Sequence, residues 1–104
     1  MRYPTISMRE LEQWIEYGRE MVLVDLRTEE EYSRGHLEGA INIPFVQLDL
    51  QAGALPEAIP VVFYCQRGSK SLLACNRLWE SGLQVVNTGG GLNAYRGRHW
   101  VRPF

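Results

Sequence analysis

Cys65 ends a short apolar run, Val61-Val62-Phe63-Tyr64, and a polar cationic stretch, Gln66-Arg67-Gly68-Ser69-Lys70-Ser71, follows it at once. A helical pattern begins at Ser69 to Leu73. This order sets a thiol at the C-terminal end of a strand and aims it at the start of a helix. Unpaired amide N–H groups and the positive end of the helix dipole gather at such a place. Surroundings of that kind favour the thiolate, which is the nucleophilic form of cysteine. Arg67 and Lys70 add positive charge close by. The chemistry expected is a reactive cysteine working on an anionic substrate.

The second thiol, Cys75, falls about one and a half turns into the helix predicted over 69–81. It shares an apolar stretch with Leu72 and Trp79, at three- and four-residue spacing. It reads either as a small buried hydrophobe or as a resolving thiol for an oxidised Cys65. Two cysteines without histidines at metal-ligand spacing argue against a zinc site, and no cofactor is expected. A structural disulfide is not expected in a cytoplasmic domain of this size.

The 104 residues suffice for one hydrophobic core, so residues 1–104 are expected to form one domain. A hydrophobic fraction of 45% and a charged fraction of 22% are ordinary for a soluble protein. The formal net charge of −1 argues against bulk nucleic-acid binding, which makes the positive charge beside Cys65 a local feature. No apolar run is long enough to span a bilayer, and Met1 to Glu12 lack the apolar stretch of a secretory signal. A cytoplasmic location is expected.

The elements that must position Cys65 follow from pattern. Ser7 to Tyr17 reads as a helix opened by a Ser7/Glu10 capping box, with Ile6 and Leu11 as a hydrophobic staple. Met21 to Asp25 and Val61 to Tyr64 read as strands buried on both faces. Thr28 with Glu31 opens a second short helix. Ala40 to Ile43 reads as a strand closed by Pro44, and Phe45 to Leu50 as a short helix or turn. After the helix over 69–81, ended by Gly82, Gln84 to Asn87 is a further strand. Leu92 to Arg96 is a brief helix, and His99 to Phe104 a tail that packs through Trp100. Strands alternating with helices imply parallel β-α-β units with helices on both faces. Ligands of such sheets bind at the C-terminal ends of the strands. Cys65, Asp25 with Arg27, and the stretch from Thr88 to Gly91 are therefore expected to converge on one mouth.

The chain resembles the single-domain rhodaneses, a family of sulfurtransferases, over about residues 5 to 97. The resemblance rests on four stretches in order: Val24-Asp25-Leu26-Arg27 with Thr28 to Tyr32, Gly35-His36 to Pro44, Tyr64-Cys65 to Ser71, and Gly89-Gly90-Gly91 to Tyr95. It implies an α/β fold, a three-layer α/β/α domain with a central, mostly parallel sheet. It also implies a reaction in two steps. Cys65 takes the outer sulfur of a small anionic donor such as thiosulfate, or of a persulfide, and hands it from a cysteine persulfide to a protein or low-molecular-weight thiol, or to cyanide in vitro. Gln66, Arg67, Gly68, Ser69, Lys70, Ser71 and Arg27 are the substrate-binding residues this implies, with backbone N–H groups cradling the charged sulfur. The active-site loop runs over six residues, Cys65 to Lys70. The phosphatases that share this fold need one residue more, with an arginine where this chain has Ser71. Many family members carry arginine at the place of Lys70 and a small residue at that of Arg67, so the cation pattern here departs from the family's.

Other residues keep two readings. Asp25 supports the Cys65 loop by accepting its N–H groups, or caps the turn that follows it. Arg27 faces the mouth or pairs with a carboxylate. His36 is a general-base candidate by type, or, within the family's Gly-His motif, a structural hydrogen-bonder. Gly89 to Gly91 brings backbone close to the substrate or forms a tight turn. Trp14, Trp79 and Trp100 read as packing residues. The competing functions are a non-catalytic rhodanese-like binding module and a Cys65/Cys75 redox protein.

Overall fold

Four consecutive residues, Val61 to Tyr64, are fully buried and divide between two cores. Val61 and Phe63 belong to one apolar cluster and Val62 and Tyr64 to the other. A strand buried on both faces has this form, and it marks the centre of a covered parallel sheet. The computed structural model describes residues 2–102. In chain order it contains β1 (Thr5–Ser7), α1 (Met8–Glu16), β2 (Val22–Asp25), α2 (Glu29–Arg34), β3 (His36–Leu37), β4 (Ile41–Asn42), α3 (Leu48–Gln51), β5 (Pro60–Tyr64), α4 (Ser69–Leu78), β6 (Gln84–Gly89) and β7 (Trp100–Val101). Short 3-10 turns cover Phe45–Gln47, Ala52–Ala54 and Leu92–Ala94.

Five strands form one sheet in the order β1-β6-β5-β2-β4, and every neighbouring pair is parallel. On one face, Met8 and Leu11 of α1 pack with Leu23, Val62, Tyr64 and Val86. On the other, Ala74, Cys75 and Leu78 of α4, with Leu48 of α3, pack against Val24, Val61, Phe63 and Val85. The fold is therefore the α/β arrangement expected, with helices on both faces of a parallel sheet. Among the described residues no helix is long and apolar enough to cross a membrane.

Both capping boxes are present. The Glu10 amide donates to Ser7 Oγ at 3.0 Å and the Ser7 amide to Glu10 Oε1 at 3.3 Å. The Glu31 amide donates to Thr28 Oγ1 at 3.2 Å and the Thr28 amide to Glu31 Oε1 at 3.1 Å. Each box fixes the direction in which a helix leaves its strand.

Departures from expectation lie at short or non-local elements. Residues 5–7 add a parallel edge strand that three residues of pattern cannot announce. The helix expected to Ser81 stops at Leu78, where the Ser81 amide turns back to the Leu78 carbonyl at 2.9 Å. The stretch expected as a helix over 92–96 is a 3-10 turn over Leu92–Ala94. Trp100 and Val101, expected as a tail, pair antiparallel with Leu37 and His36 to make a separate two-stranded ribbon. Pro103 and Phe104, the rest of that tail, lie outside the described residues.

Candidate active site

Topology places Cys65 directly after central strand β5, beside the C-terminal end of β2, where Asp25 pairs with Tyr64. Gln66, Arg67 and Gly68 carry the chain round to α4. The turn needs Gly68, whose φ of +96° lies in the left-handed region. A Cβ there would also sit 3.1 Å from the Gly90 nitrogen. The loop folds back over its own sulfur. Cys65 Sγ accepts the Gly68 amide at 3.1 Å and the Ser71 amide at 3.3 Å. Cys65 is only 2% exposed, so the sulfur lies at the bottom of a cup.

The cup opens into a cavity of about 360 Å³ lined by Arg27, Glu31, Gln66, Arg67, Ser69 and Lys70 around Cys65. Arg67, Ser69 and Lys70 are exposed. The Gln66 side chain is tied sideways, its Nε2 donating to Asn93 Oδ1 at 2.9 Å. Glu31 in this rim was not among the expected site residues, because its capping role accounts for it fully at the level of sequence. The Thr28 backbone hydrogen bond first, and the Arg27 and Lys70 charges after it, hold its carboxyl below the usual range despite some burial.

Arg27 does both of the things left open for it, while Asp25 does only one of its two directly. Asp25 caps the turn after β2, its Oδ1 accepting the Arg27 amide at 2.9 Å. It also holds the Arg27 guanidinium through Nε at 3.1 and 3.2 Å and Nη2 at 2.8 Å. Tyr64 Oη donates to Asp25 Oδ2 at 2.7 Å and accepts the Leu37 amide at 3.1 Å. Arg27 Nη2 reaches the Gly35 carbonyl at 2.7 Å. Burial alone would lower the Arg27 guanidinium, but the hydrogen bonds and charge of Asp25 outweigh it and raise it. Burial, then the Asp25 charge, pushes the Tyr64 phenol well up, so it stays a donor. No amide of the Cys65 loop donates to Asp25 among the described residues; the expected direct support is indirect, through Tyr64, the residue before Cys65. Arg27 is 7% exposed and still lines the mouth.

Ser71 is corrected in part. Its amide reaches the sulfur, but its side chain is fully buried and faces away from the mouth. The hydroxyl lies 2.8 Å from the Phe63 carbonyl and 2.6 Å from Asn87 Oδ1, and accepts the Thr88 amide at 3.3 Å. It joins α4 to β5 and β6, and so fixes where the helix starts.

The glycine run packs closely against the Cys65 loop, a Cβ at Gly91 falling 2.6 Å from the Gln66 carbonyl oxygen. Leu92 and Asn93 donate amides to the Cys65 and Gln66 carbonyls at 2.9 and 3.1 Å. Sequence reasoning missed Leu92 and Asn93 as supports, since nothing local links them to Cys65. Elsewhere, His36 stacks on Tyr32 with ring centroids 3.9 Å apart, and its Nδ1 lies 3.1 Å from the Tyr32 carbonyl. Cys75 is buried in the core beside Ala74 and Leu78, while Leu72, expected to share its face, is 40% exposed. Burial pushes the Cys75 thiol up to about 12, which keeps it protonated at neutral pH. Among the described residues no group of three or more His, Cys, Asp or Glu side chains is placed to hold a metal ion.

The family model for the rhodanese-like domain matches residues 7–98. A protein of Allochromatium vinosum named sulfurtransferase is 32% identical over 91 residues, covering 86% of this chain and 85% of its own. Bacillus subtilis YtwF, provisionally named a sulfurtransferase, is 32% identical over 97 residues, covering 93% of this chain and 94% of its own. The crystal structure of a rhodanese-like domain protein from Staphylococcus aureus superposes with a TM-score of 0.86 at 23% identity, over 97% of this chain and 99% of that one.

Proposed function

The chain belongs to the rhodanese-like domain family, and we propose that it is a sulfurtransferase that carries sulfane sulfur on Cys65. The observation that supports this most is the sulfur cup: a recessed thiol that accepts the Gly68 and Ser71 amides and opens under Arg67 and Lys70. In the first step the Cys65 thiolate attacks the outer sulfur of thiosulfate. The S–S bond breaks, its electron pair leaves with sulfite, and a cysteine persulfide remains. In the second step an acceptor thiolate, or cyanide in vitro, attacks the outer sulfur and the Cys65 thiolate is restored. Covalent catalysis thus divides one transfer into two easier displacements. A bound persulfide carries negative charge, which preorganised amides and nearby cations stabilise. Neither step changes the total number of electrons on sulfur, so no cofactor is required.

Arg67 and Lys70 are assigned to the donor's anionic end, with Gln66, Gly68, Ser69, Ser71 and Arg27 completing the cradle through backbone and side chain. Asp25 holds Arg27 and Tyr64 in place. Thiosulfate is the small donor this charge pattern suits, and a protein persulfide could discharge through the same open mouth. A thiolate-dependent cycle suits a reducing compartment, in keeping with the cytoplasmic location expected from sequence.

Intact mass spectrometry after thiosulfate treatment tests the proposal. A gain of one sulfur atom, reversed by dithiothreitol, is expected in the wild type and absent in Cys65→Ser. Failure of the wild type to gain sulfur from thiosulfate or any other sulfane donor would overturn the proposal in favour of the binding-module or redox reading. The cation assignment has its own measurement. Arg67→Ala or Lys70→Ala should raise the half-saturating thiosulfate concentration by about three- to tenfold, a modest effect because both side chains are exposed and screened. Two variants that saturate like wild type would remove both residues from donor binding.

A further inference from the structure

A second groove, of about 380 Å³, lies against the Cys65 cavity and shares Arg27 and Gln66 with it. Its lining is mostly polar, as in the cup, but it adds aromatic side chains that the cup lacks. Leu92, Tyr95 and Trp100 give it apolar and aromatic surface, and Arg102 stands at its edge. Trp100 and Arg102 come from the C-terminal segment around β7, beyond residues 7–98 that match the family model. The wall is firmly built. Leu37 pairs with Trp100, and the indole fits over Gly35 so closely that a Cβ there would lie 2.5 Å from Trp100 Nε1. The Trp100 ring also lies 5.6 Å from the Arg27 guanidinium. Tyr95 Oη is committed to Glu12 Oε1 at 2.7 Å, so the residue is anchored by its hydroxyl. Arg27 spends Nε and Nη2 on Asp25 and Gly35, while Nη1 has no hydrogen-bond partner among the described residues.

We propose that this groove is the subsite for the sulfur acceptor, and that it selects a small thiol bearing a carboxylate. The proposal rests on the sulfurtransferase reading and names the acceptor class for the same site. Thiosulfate is compact and fully polar, and has no use for an aromatic wall. An organic thiol has a carbon body to lay on Trp100 and Tyr95. A carboxylate complements Arg102 and the open edge of Arg27. A molecule so held directs its sulfur past Gln66, the residue both cavities share, toward Cys65. Its thiolate forms a bond to the outer persulfide sulfur, the S–S bond to Cys65 Sγ breaks, and that electron pair returns to Cys65. The acceptor leaves as a persulfide, with atoms and electrons balanced.

Two measurements decide it. The first needs no sulfur transfer: Cys65→Ser protein is titrated with S-methylglutathione, an unreactive carboxylate-bearing thioether, while the indole N–H resonances are followed by NMR. The Trp100 signal, identified with Trp100→Phe, is expected to move while those of Trp14 and Trp79 stay, and Arg102→Ala should weaken binding about tenfold. A Trp100 signal that does not move, or an affinity indifferent to Arg102→Ala, overturns the proposal. The second measures how fast persulfide-loaded protein is discharged by glutathione and by uncharged 2-mercaptoethanol. Arg102→Ala should cut the preference for glutathione about tenfold. Equal losses with both thiols overturn the carboxylate assignment. If loading never occurs, the sulfurtransferase reading fails, and the titration still decides whether the groove binds.

Discussion

Asp25→Ala is expected to lose about 3–5 kcal/mol of stability, read as a large fall in the urea midpoint with little change in slope. The carboxylate is fully buried and serves three partners at once: the Arg27 guanidinium, the Arg27 amide and the Tyr64 hydroxyl. Alanine removes the acceptor and leaves a guanidinium in a site that is 7% exposed, with its opposite charge gone. An uncompensated buried charge costs more than the pair ever contributed, since pairing itself is largely offset by desolvation. Small domains have only about 5–15 kcal/mol in total, so the variant should sit close to unfolding at room temperature.

A double variant separates the mechanism from simple loss of contacts. Asp25→Ala combined with Arg27→Met removes the stranded charge and keeps an apolar stem of similar length. It should be more stable than Asp25→Ala alone, an inversion that independent contacts cannot produce. If the double variant is the weaker of the two, the guanidinium is not the source of the cost. Both should load sulfur poorly even where folded, because Tyr64 and Leu26 fix the start of the Cys65 loop. The Leu26 amide donates to the Tyr64 carbonyl at 3.0 Å, and Tyr64 Oη is held by Asp25 at 2.7 Å.

How much of this was legible in the sequence depends on how local each cause is. The capping boxes at Ser7/Glu10 and Thr28/Glu31 are four-residue motifs, and both formed with the expected reciprocal bonds. The strands β2 and β5 are short apolar runs bounded by polar residues, and burial on both faces made them readable. The pair β3 and β7 is different. Two residues on each side cannot signal a strand by alternation, and the ribbon exists because Trp100 finds the bare backbone of Gly35. Asp25 and Arg27 were visible as candidates, but the choice between site and salt bridge turned on side-chain directions that spacing does not give. Ser71 was placed correctly at the loop's end, yet its hydroxyl points to Phe63 and Asn87, partners that only the assembled sheet brings near. The six-residue loop could be counted from sequence, since the amides that reach the sulfur, Gly68 within it and Ser71 just after it, lie in the same short stretch.

Gly91→Ala should slow sulfur loading by at least about a hundredfold while the protein remains folded. The glycine has φ of +56° with ψ of −166°, a conformation that is essentially glycine-only and costs an alanine about 1–3 kcal/mol before any contact is considered. Its added Cβ would sit 2.6 Å from the Gln66 carbonyl oxygen and 2.7 Å from the Cys65 oxygen and the Arg67 nitrogen. All three are backbone atoms of the reactive loop, so relief can come only from moving that loop. The neighbouring amides of Leu92 and Asn93 hold the same carbonyls at 2.9 and 3.1 Å and would be pushed off with it. The sulfur then loses its alignment with the Gly68 and Ser71 amides, a displacement on the scale that costs catalysis far more than stability. Gly89→Ala provides the contrast inside the same glycine run. Its Cβ would meet Thr5 Cγ2 at 3.6 Å and the Ile6 carbonyl oxygen at 3.9 Å, both ordinary contacts, and its backbone is not left-handed. Stopped-time intact mass after thiosulfate addition measures both variants, with urea unfolding as the check on fold. Equal loading rates for Gly91→Ala and Gly89→Ala would mean that the close approach at Gly91 is incidental to the loop. A rate gap of about a hundredfold would show that a glycine remote in sequence from Cys65 sets the shape of its cup.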